Sequence, residues 1–278
     1  MILDGRALAA KVEREIGEEI RKKKIGKLAI LMIGDNPVSE KYVGIKQRQA
    51  TELGIEIEIM RVNKGERQER ILEIIEKWNA NSSVAGIMVQ LPLPEGYDKA
   101  QILDHVDVSK DVDGLTATNL GRVFQGQGVA PAAVEGVMRL LSEYKIELEG
   151  KRVVVVNNSP LIGLPLLGRL NSAHATVTLV HEWSKDLEQL TLQADVLITG
   201  IGKSRIIGPE MIKEGAVVID IGTAIENSSG RLVGDVDFER VSPKCSYITP
   251  VPGGVGPMTV AMLFSNLVKI AHDQNSAI

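Results

Sequence analysis

Short runs of β-branched and aliphatic residues alternate with longer helix-period segments almost from one end of this chain to the other. That alternation points to parallel α/β structure. In the first half Leu28–Gly34, Ile55–Val62 and Val84–Leu91 read as strands, with helices expected over about 37–53 and 67–79. The first of these helices is well punctuated: Asn36 can cap it, Pro37 takes a position where a missing N–H costs nothing, and Gly54 follows its end. In the second half Lys151–Val156, Ala175–Val180, Asp195–Thr199 and Ala216–Ile221 are Val- and Ile-rich, as in a sheet buried on both faces. The character changes between Asp113 and Glu149, where a helix around Ala133–Tyr144 could form a bridge. A final helix is expected from near Pro257 or Met258 to about His272, with Asp273–Ile278 as a frayed tail. Two α/β units joined in this way would leave a ligand cleft between them.

Size and composition narrow the function classes. The 278 residues leave room for about two domains. A hydrophobic share of 44% with 24% charged residues excludes a disordered or fibrous chain. Net charge is −4 with the signs mixed, so no basic field offers itself to nucleic acid or to an anionic membrane. The lone Cys245 excludes an internal disulfide and a cysteine-based metal site; it fits a reducing, cytoplasmic compartment and reads as a small buried hydrophobe. The N-terminus is charged by Asp4, unlike a signal peptide, and no run approaches the roughly 18 apolar residues of a membrane span. Aromatic residues make up only 3%, so the core is aliphatic and each ring is a candidate for stacking on a flat ligand.

After the strand that ends at Val156 comes Asn157-Asn158-Ser159-Pro160-Leu161-Ile162-Gly163, then a helix, then the strand that ends at Val180. The order suits a nucleotide site whose pyrophosphate meets unpaired amides at the helix start, although only Gly163 remains of a G-x-G-x-x-G pattern; a structural turn is the alternative. Glu182, just past the second strand, stands where an acceptor for a ribose hydroxyl belongs and would repel a 2′-phosphate; a solvated strand-end Glu is equally open. Gly202 and Thr223 follow two further strands in glycine-bearing turns.

In the first half Ser39, Tyr42 and Lys46 share one helix face, with Tyr42 and Lys46 one turn apart. A Tyr over a flat ring and a partly desolvated Lys would make an acid/base pair; the alternative is a surface helix with a half-exposed Tyr. Gln90 ends the third strand ahead of Pro92 and Pro94, and Lys110-Asp111-Val112-Asp113-Gly114 could aim a carboxylate at a ligand or be a plain turn. The run Pro250–Thr259 packs Pro250, Pro252 and Pro257 among Gly253, Gly254 and Gly256, too rigid for a linker. It suggests a cleft wall with Thr259 at a helix start.

Tyr42-Val43-Gly44-Ile45-Lys46, Val89–Pro94, Lys110–Gly114, Val233-Gly234-Asp235-Val236 and Pro250–Thr259 together resemble the bifunctional methylenetetrahydrofolate dehydrogenase/cyclohydrolase family, in its order and over about Ile2 to Leu267. The resemblance implies oxidation of 5,10-methylenetetrahydrofolate by NADP or NAD and then hydrolysis to 10-formyltetrahydrofolate, in a homodimer that needs no metal. It implies a catalytic domain of residues 1–119 plus 258–278 and a Rossmann-type cofactor domain of 120–257. Carried over by motif, Lys46 is the main catalytic residue of the hydrolytic step, Gln90 holds and tunes it, Tyr42 stacks on the folate and Asp113 binds the pterin. Ser39, Pro252 and Gly253 join Tyr42, Gln90 and Asp113 as substrate positions; Asn157, Asn158, Ser159, Gly163, Glu182, Gly202, Thr223 and Thr259 are cofactor positions.

The departures cluster at the cofactor. Asn157-Asn158-Ser159 stands for the usual Gly-Arg-Ser, and His181-Glu182-Trp183-Ser184 for a His-Ser-Arg-Thr type of sequence, which puts Trp183 beside the adenosine. Local chemistry therefore leans to NAD where the family favours NADP. Pro131-Ala132-Ala133-Val134 also replaces Pro-Cys-Thr-Pro, removing a polar contact near the nicotinamide. Two alternatives stay open: a two-domain dehydrogenase of another small substrate, and a silent folate- or nucleotide-binding protein, against which Tyr42, Lys46, Gln90 and Asp113 argue.

Overall fold

The computed structural model describes residues 1–226 and 230–276. Its elements in chain order are α1 (Gly5–Lys22), β1 (Lys27–Ile33), α2 (Pro37–Leu53), β2 (Ile57–Val62), α3 (Gln68–Asn79), β3 (Val84–Val89), α4 (Lys99–Asp104), α5 (Ala117–Phe124) and α6 (Ala132–Glu143). They continue with β4 (Arg152–Val156), α7 (Gly163–Ser172), β5 (Thr176–Val180), α8 (Leu187–Thr191), β6 (Val196–Thr199) and β7 (Val217–Asp220). Last come β8 (Ala224–Ile225), β9 (Leu232–Val233), α9 (Phe238–Val241), β10 (Tyr247–Ile248) and α10 (Val255–Ser276). The chain divides into a three-stranded unit (Lys11–Arg122, Gly128–Ala130, Met262–Ile278) and a five-stranded unit (Met1–Ala10, Val123–Gln127, Pro131–Ala261). Three boundaries fall within α1, α5 and α10 and two in the loop between α5 and α6, whereas α6, expected as a bridge, lies wholly in the five-stranded unit.

The three-stranded unit orders its parallel sheet β2-β1-β3. Strand β1 is central and, after Lys27, buried along its whole length, which is why it lacks polar alternation. Gly86 in β3 is obligatory: a Cβ there would come within 2.3 Å of Val112 Cγ1. Helix α2 begins as expected, with Asn36 Oδ1 accepting from Val38 N and Ser39 N, and ends on Gly54 at φ +71°. Helix α3 buries Ile71, Ile74, Ile75 and Trp78, one stripe of its surface.

The five-stranded unit orders its parallel sheet β10-β7-β6-β4-β5. Because β4 has β5 on one side and β6 on the other, the winding reverses at β4 and opens a crevice beyond the carboxyl ends of β4 and β6. The first residues complete the far edge: Leu3 N donates to Ile248 O and Ile248 N to Met1 O. Cys245, expected to be buried, is half-buried against the aliphatic core, and desolvation pushes its thiol up to about 11.

Two expectations at the C-terminus need correction. Helix α10 starts at Val255, so Pro257 sits in its first turn, where amides have no intrahelical acceptor and a proline is tolerated. Asp273–Ser276 continue that helix instead of fraying, while Ala277 and Ile278 lie outside the described residues.

Candidate active site

In the three-stranded unit α2 carries Ser39, Tyr42 and Lys46. Ser39 is 3% exposed and its Oγ has no hydrogen-bond partner in the protein. Tyr42 is 45% exposed, leaving a ring face for a flat ligand. Lys46 Nζ donates to Gln90 Oε1 at 2.9 Å, and Gln90 Nε2 in turn donates to Leu91 O at 2.6 Å, which fixes the carboxamide with its oxygen toward the lysine. Burial pulls the Lys46 pKa below the usual lysine value, and the charge of Asp113 opposes this.

The Lys110–Gly114 segment divides its labour in a way spacing alone does not reveal. Lys110 Nζ donates to Trp78 O, Asn79 O and Asn81 O at 3.0, 2.7 and 2.9 Å, capping the carboxyl end of α3. Asp111 is spent on the next turn, accepting from Leu115 N, Thr116 N and Asn119 Nδ2. Gly114 has φ +64°, and a Cβ there would lie 2.3 Å from Val129 O. Asp113 is the carboxylate left over. Burial raises its pKa to about 6, opposed by Lys46 and reinforced by Asp111.

In the five-stranded unit a cavity of about 360 Å³ opens at the crevice. Asn157, Asn158, Glu182, Gly200, Ile201 and Lys203 are among its lining residues. The Asn157 side chain spans the switch point: Nδ2 donates to Gly200 O at 2.6 Å, while Oδ1 accepts from Ser159 N, Ser159 Oγ and Gly163 N. Gly163 permits this closeness, since a Cβ would come within 1.9 Å of Asn157 O. The expectation of free amides at the helix start is therefore corrected. Gly163 N is bound to Asn157 Oδ1 and Leu164 N to Ser159 O.

The other expected cofactor positions are spread out. Ser159 and Gly163 stand behind Asn157 and do not line the cavity, nor do Gly202 and Thr223. Thr259 is not at a helix start but in the second turn of α10, its Oγ1 donating to Val255 O. Trp183, read as an adenosine neighbour, is 82% exposed and absent from the lining. Sequence reasoning missed Ser184, Leu187, Ile201, Lys203 and Ile206, whose signal was position after β5 and β6 rather than residue type. The glycine-rich run is rigid as expected: Gly253 sits at φ +119° and its carbonyl accepts from Arg6 N, with Pro252 just before it in the five-stranded unit. A strand-end cavity at the reversal of a parallel sheet, with an acidic residue at the second strand's end, fits a dinucleotide.

Two family models match: "Tetrahydrofolate dehydrogenase/cyclohydrolase, catalytic domain" over residues 3–113 and its "NAD(P)-binding domain" over 131–275. A curated relative, "Bifunctional protein FolD" of Sulfurovum sp., is 47% identical over 280 residues, covering 98% of this chain and 99% of its own. The crystal structure of the bifunctional enzyme FolD, a methylenetetrahydrofolate dehydrogenase/cyclohydrolase from Campylobacter jejuni, aligns with TM-score 0.96 at 44% identity, covering 99% of both chains. The Trypanosoma brucei dehydrogenase-cyclohydrolase complexed with NADP cofactor and inhibitor aligns with TM-score 0.93 at 34% identity, over 99% of this chain and 98% of that one.

Proposed function

This chain belongs to the tetrahydrofolate dehydrogenase/cyclohydrolase family, and from that premise we propose how its own residues carry the family's two reactions. It oxidises 5,10-methylenetetrahydrofolate to the 5,10-methenyl cation with NAD(P), then hydrolyses that cation to 10-formyltetrahydrofolate. A bound nicotinamide supplies the hydride acceptor of the first step. Asn157, Asn158, Glu182 and the Gly200–Lys203 turn would hold the dinucleotide.

The single observation that carries the assignment of roles is the Lys46–Gln90 hydrogen bond beside Asp113. In the hydrolytic step water adds to the methenyl carbon and gives up one proton to solvent, the adduct's hydroxyl then loses its proton, and ring nitrogen N5 gains one as its bond to that carbon breaks. Lys46 moves that proton: its lowered pKa supplies a free amine nearer neutral pH, and Gln90 Oε1 holds the nitrogen in place. Asp113 accepts from the pterin's amino and ring N–H groups, a match of carboxylate to donor edge. Tyr42 stacks on the folate ring, and Ser39 Oγ, buried without a partner, offers the ligand a hydrogen bond. The chain works as a homodimer, which the family resemblance supports. No described helix is long and apolar enough to cross a membrane, and the single cysteine supports a cytoplasmic enzyme.

A spectrophotometric assay with methylenetetrahydrofolate, run with NAD and NADP in parallel, tests the reading. The expected result is reduced dinucleotide and a methenyl absorbance that decays by hydrolysis. Absence of turnover with both cofactors would overturn it.

A further inference from the structure

The Val233–Val236 segment figures in the family resemblance, yet the reactions above give it no part. Asp235, at its centre, is wholly buried and does not line the dinucleotide cavity. Its carboxylate gathers the chain that leaves β6. Oδ2 accepts from Thr199 Oγ1 at 2.8 Å and Ile201 N at 2.5 Å, and Oδ1 accepts from Gly202 N at 2.8 Å and Lys203 N at 2.9 Å.

Three successive amides turned onto one anion form a nest, and such a turn needs a residue in the left-handed region. Gly202 supplies it, at φ +79°. The other face of the same turn is cavity wall, through Gly200, Ile201 and Lys203. The anchor is held tightly as well: Gly222 has to lack a Cβ, which would come within 2.2 Å of the Asp235 carboxyl. Ile207 N donates to Asp235 O and Arg205 N to Gly234 O, so the segment runs clamped along the turn it shapes.

We propose that Asp235 is a positioning residue for dinucleotide binding, its carboxylate holding Thr199–Lys203 in the form that walls the cavity without itself touching the ligand. The inference rests on the reading of that cavity as the NAD(P) site. Without the carboxylate three part-buried amides lose the acceptor that turns them inward, and the turn must rearrange to find others. Because the hydrolytic step consumes no dinucleotide, the enzyme carries its own control for general damage.

The test is Asp235→Asn, which keeps the size but turns an NH2 toward two donors, and Thr199→Val, which deletes one hydroxyl at the same carboxylate. Dissociation constants for NADH and NADPH are read from nicotinamide fluorescence, and hydrolysis of methenyltetrahydrofolate is followed without dinucleotide. Asp235→Asn should weaken dinucleotide binding by about tenfold and raise its KM in step, with hydrolysis within about twofold of wild type. Thr199→Val should shift the same constants by about threefold. If Asp235→Asn does not fold, Thr199→Val decides alone. Wild-type dinucleotide affinity in both variants overturns the proposal, as does an equal loss of binding and hydrolysis. Failure of the wild type to bind either dinucleotide would instead sink the reading of the cavity.

Discussion

Each unit holds a pair of neighbouring aspartates, buried Asp111 with half-buried Asp113 in the three-stranded unit and buried Asp235 with Asp220 in the five-stranded one, and the two pairs differ in what the second member has left to do. In both, one carboxylate is saturated, Asp111 by three donors and Asp235 by four. In both the neighbour titrates high: burial lifts Asp113 to about 6 and Asp220 to about 7, with the adjacent charge of Asp111 or Asp235 adding to the rise. There the likeness ends. Asp220 spends both oxygens on backbone, accepting from Gly222 N and Val236 N, whereas Asp113 has Lys46 as its opposing charge and accepts no hydrogen bond from the described residues. A perturbed carboxyl is thus no site by itself; the count of donors already facing it tells a ligand group from a structural one.

The largest break in the comparison comes from removing the charge that only one pair possesses. Lys46→Met should lower the methenyl hydrolysis rate by about 10³-fold, within the range of a lost general acid/base, and leave folate KM within about threefold. Full ring-opening activity in that variant would remove Lys46 from the mechanism. Next in size is the matched pair Asp113→Asn and Asp220→Asn. If Asp113 meets the pterin's donors, its amide variant presents an NH2 to them, and folate KM should rise by about 10- to 100-fold. Asp220→Asn should leave folate KM within about twofold. Equal effects from the two would erase the distinction drawn from their hydrogen bonds.

How far the sequence reaches follows the same division. The sheets were legible because β1, β3, β4, β6 and β7 are buried nearly throughout and hence mostly aliphatic, and α2 because Asn36, Pro37 and Gly54 act locally. Lys46 and Gln90 were legible as a pair only through family resemblance, since their bond joins α2 to the end of β3. What stayed hidden was the internal use of polar groups. Nothing in Lys110–Gly114 says that Lys110 caps α3 and Asp111 holds the next turn while Asp113 stays free of backbone. Asn157 lines the cavity as a ligand contact should, but its Oδ1 also occupies the helix-start amide expected to take a pyrophosphate. Each of these outcomes depends on which backbone donors arrive in space, and the sequence order does not state that.

The smallest expected effect lies in stability and concerns Asp220 alone. Its carboxyl keeps its proton in the folded chain up to about pH 7, against a usual 3.8. Between those values unfolding releases a proton, so this group's contribution is fully present below about pH 4 and is lost as pH rises through 7, by at most about 1.4 kcal/mol per pH unit. Asp220→Asn cannot titrate, but it gives up one acceptor for Gly222 N or Val236 N, at a pH-independent cost of about 1–2 kcal/mol. Set against that cost, the variant should stand lowest relative to wild type near pH 4, draw level near pH 5, and be the more stable of the two by pH 8. In thermal unfolding the relative shift between pH 5 and 8 amounts to about 5–10 °C, at roughly 2–4 °C per kcal/mol for a chain of this size. Taking the difference between the two proteins at each pH cancels Asp113 and the other carboxyls. A difference constant from pH 5 to 8 would mean that Asp220 is ionised throughout, and that its backbone hydrogen bonds outweigh burial and the charge of Asp235.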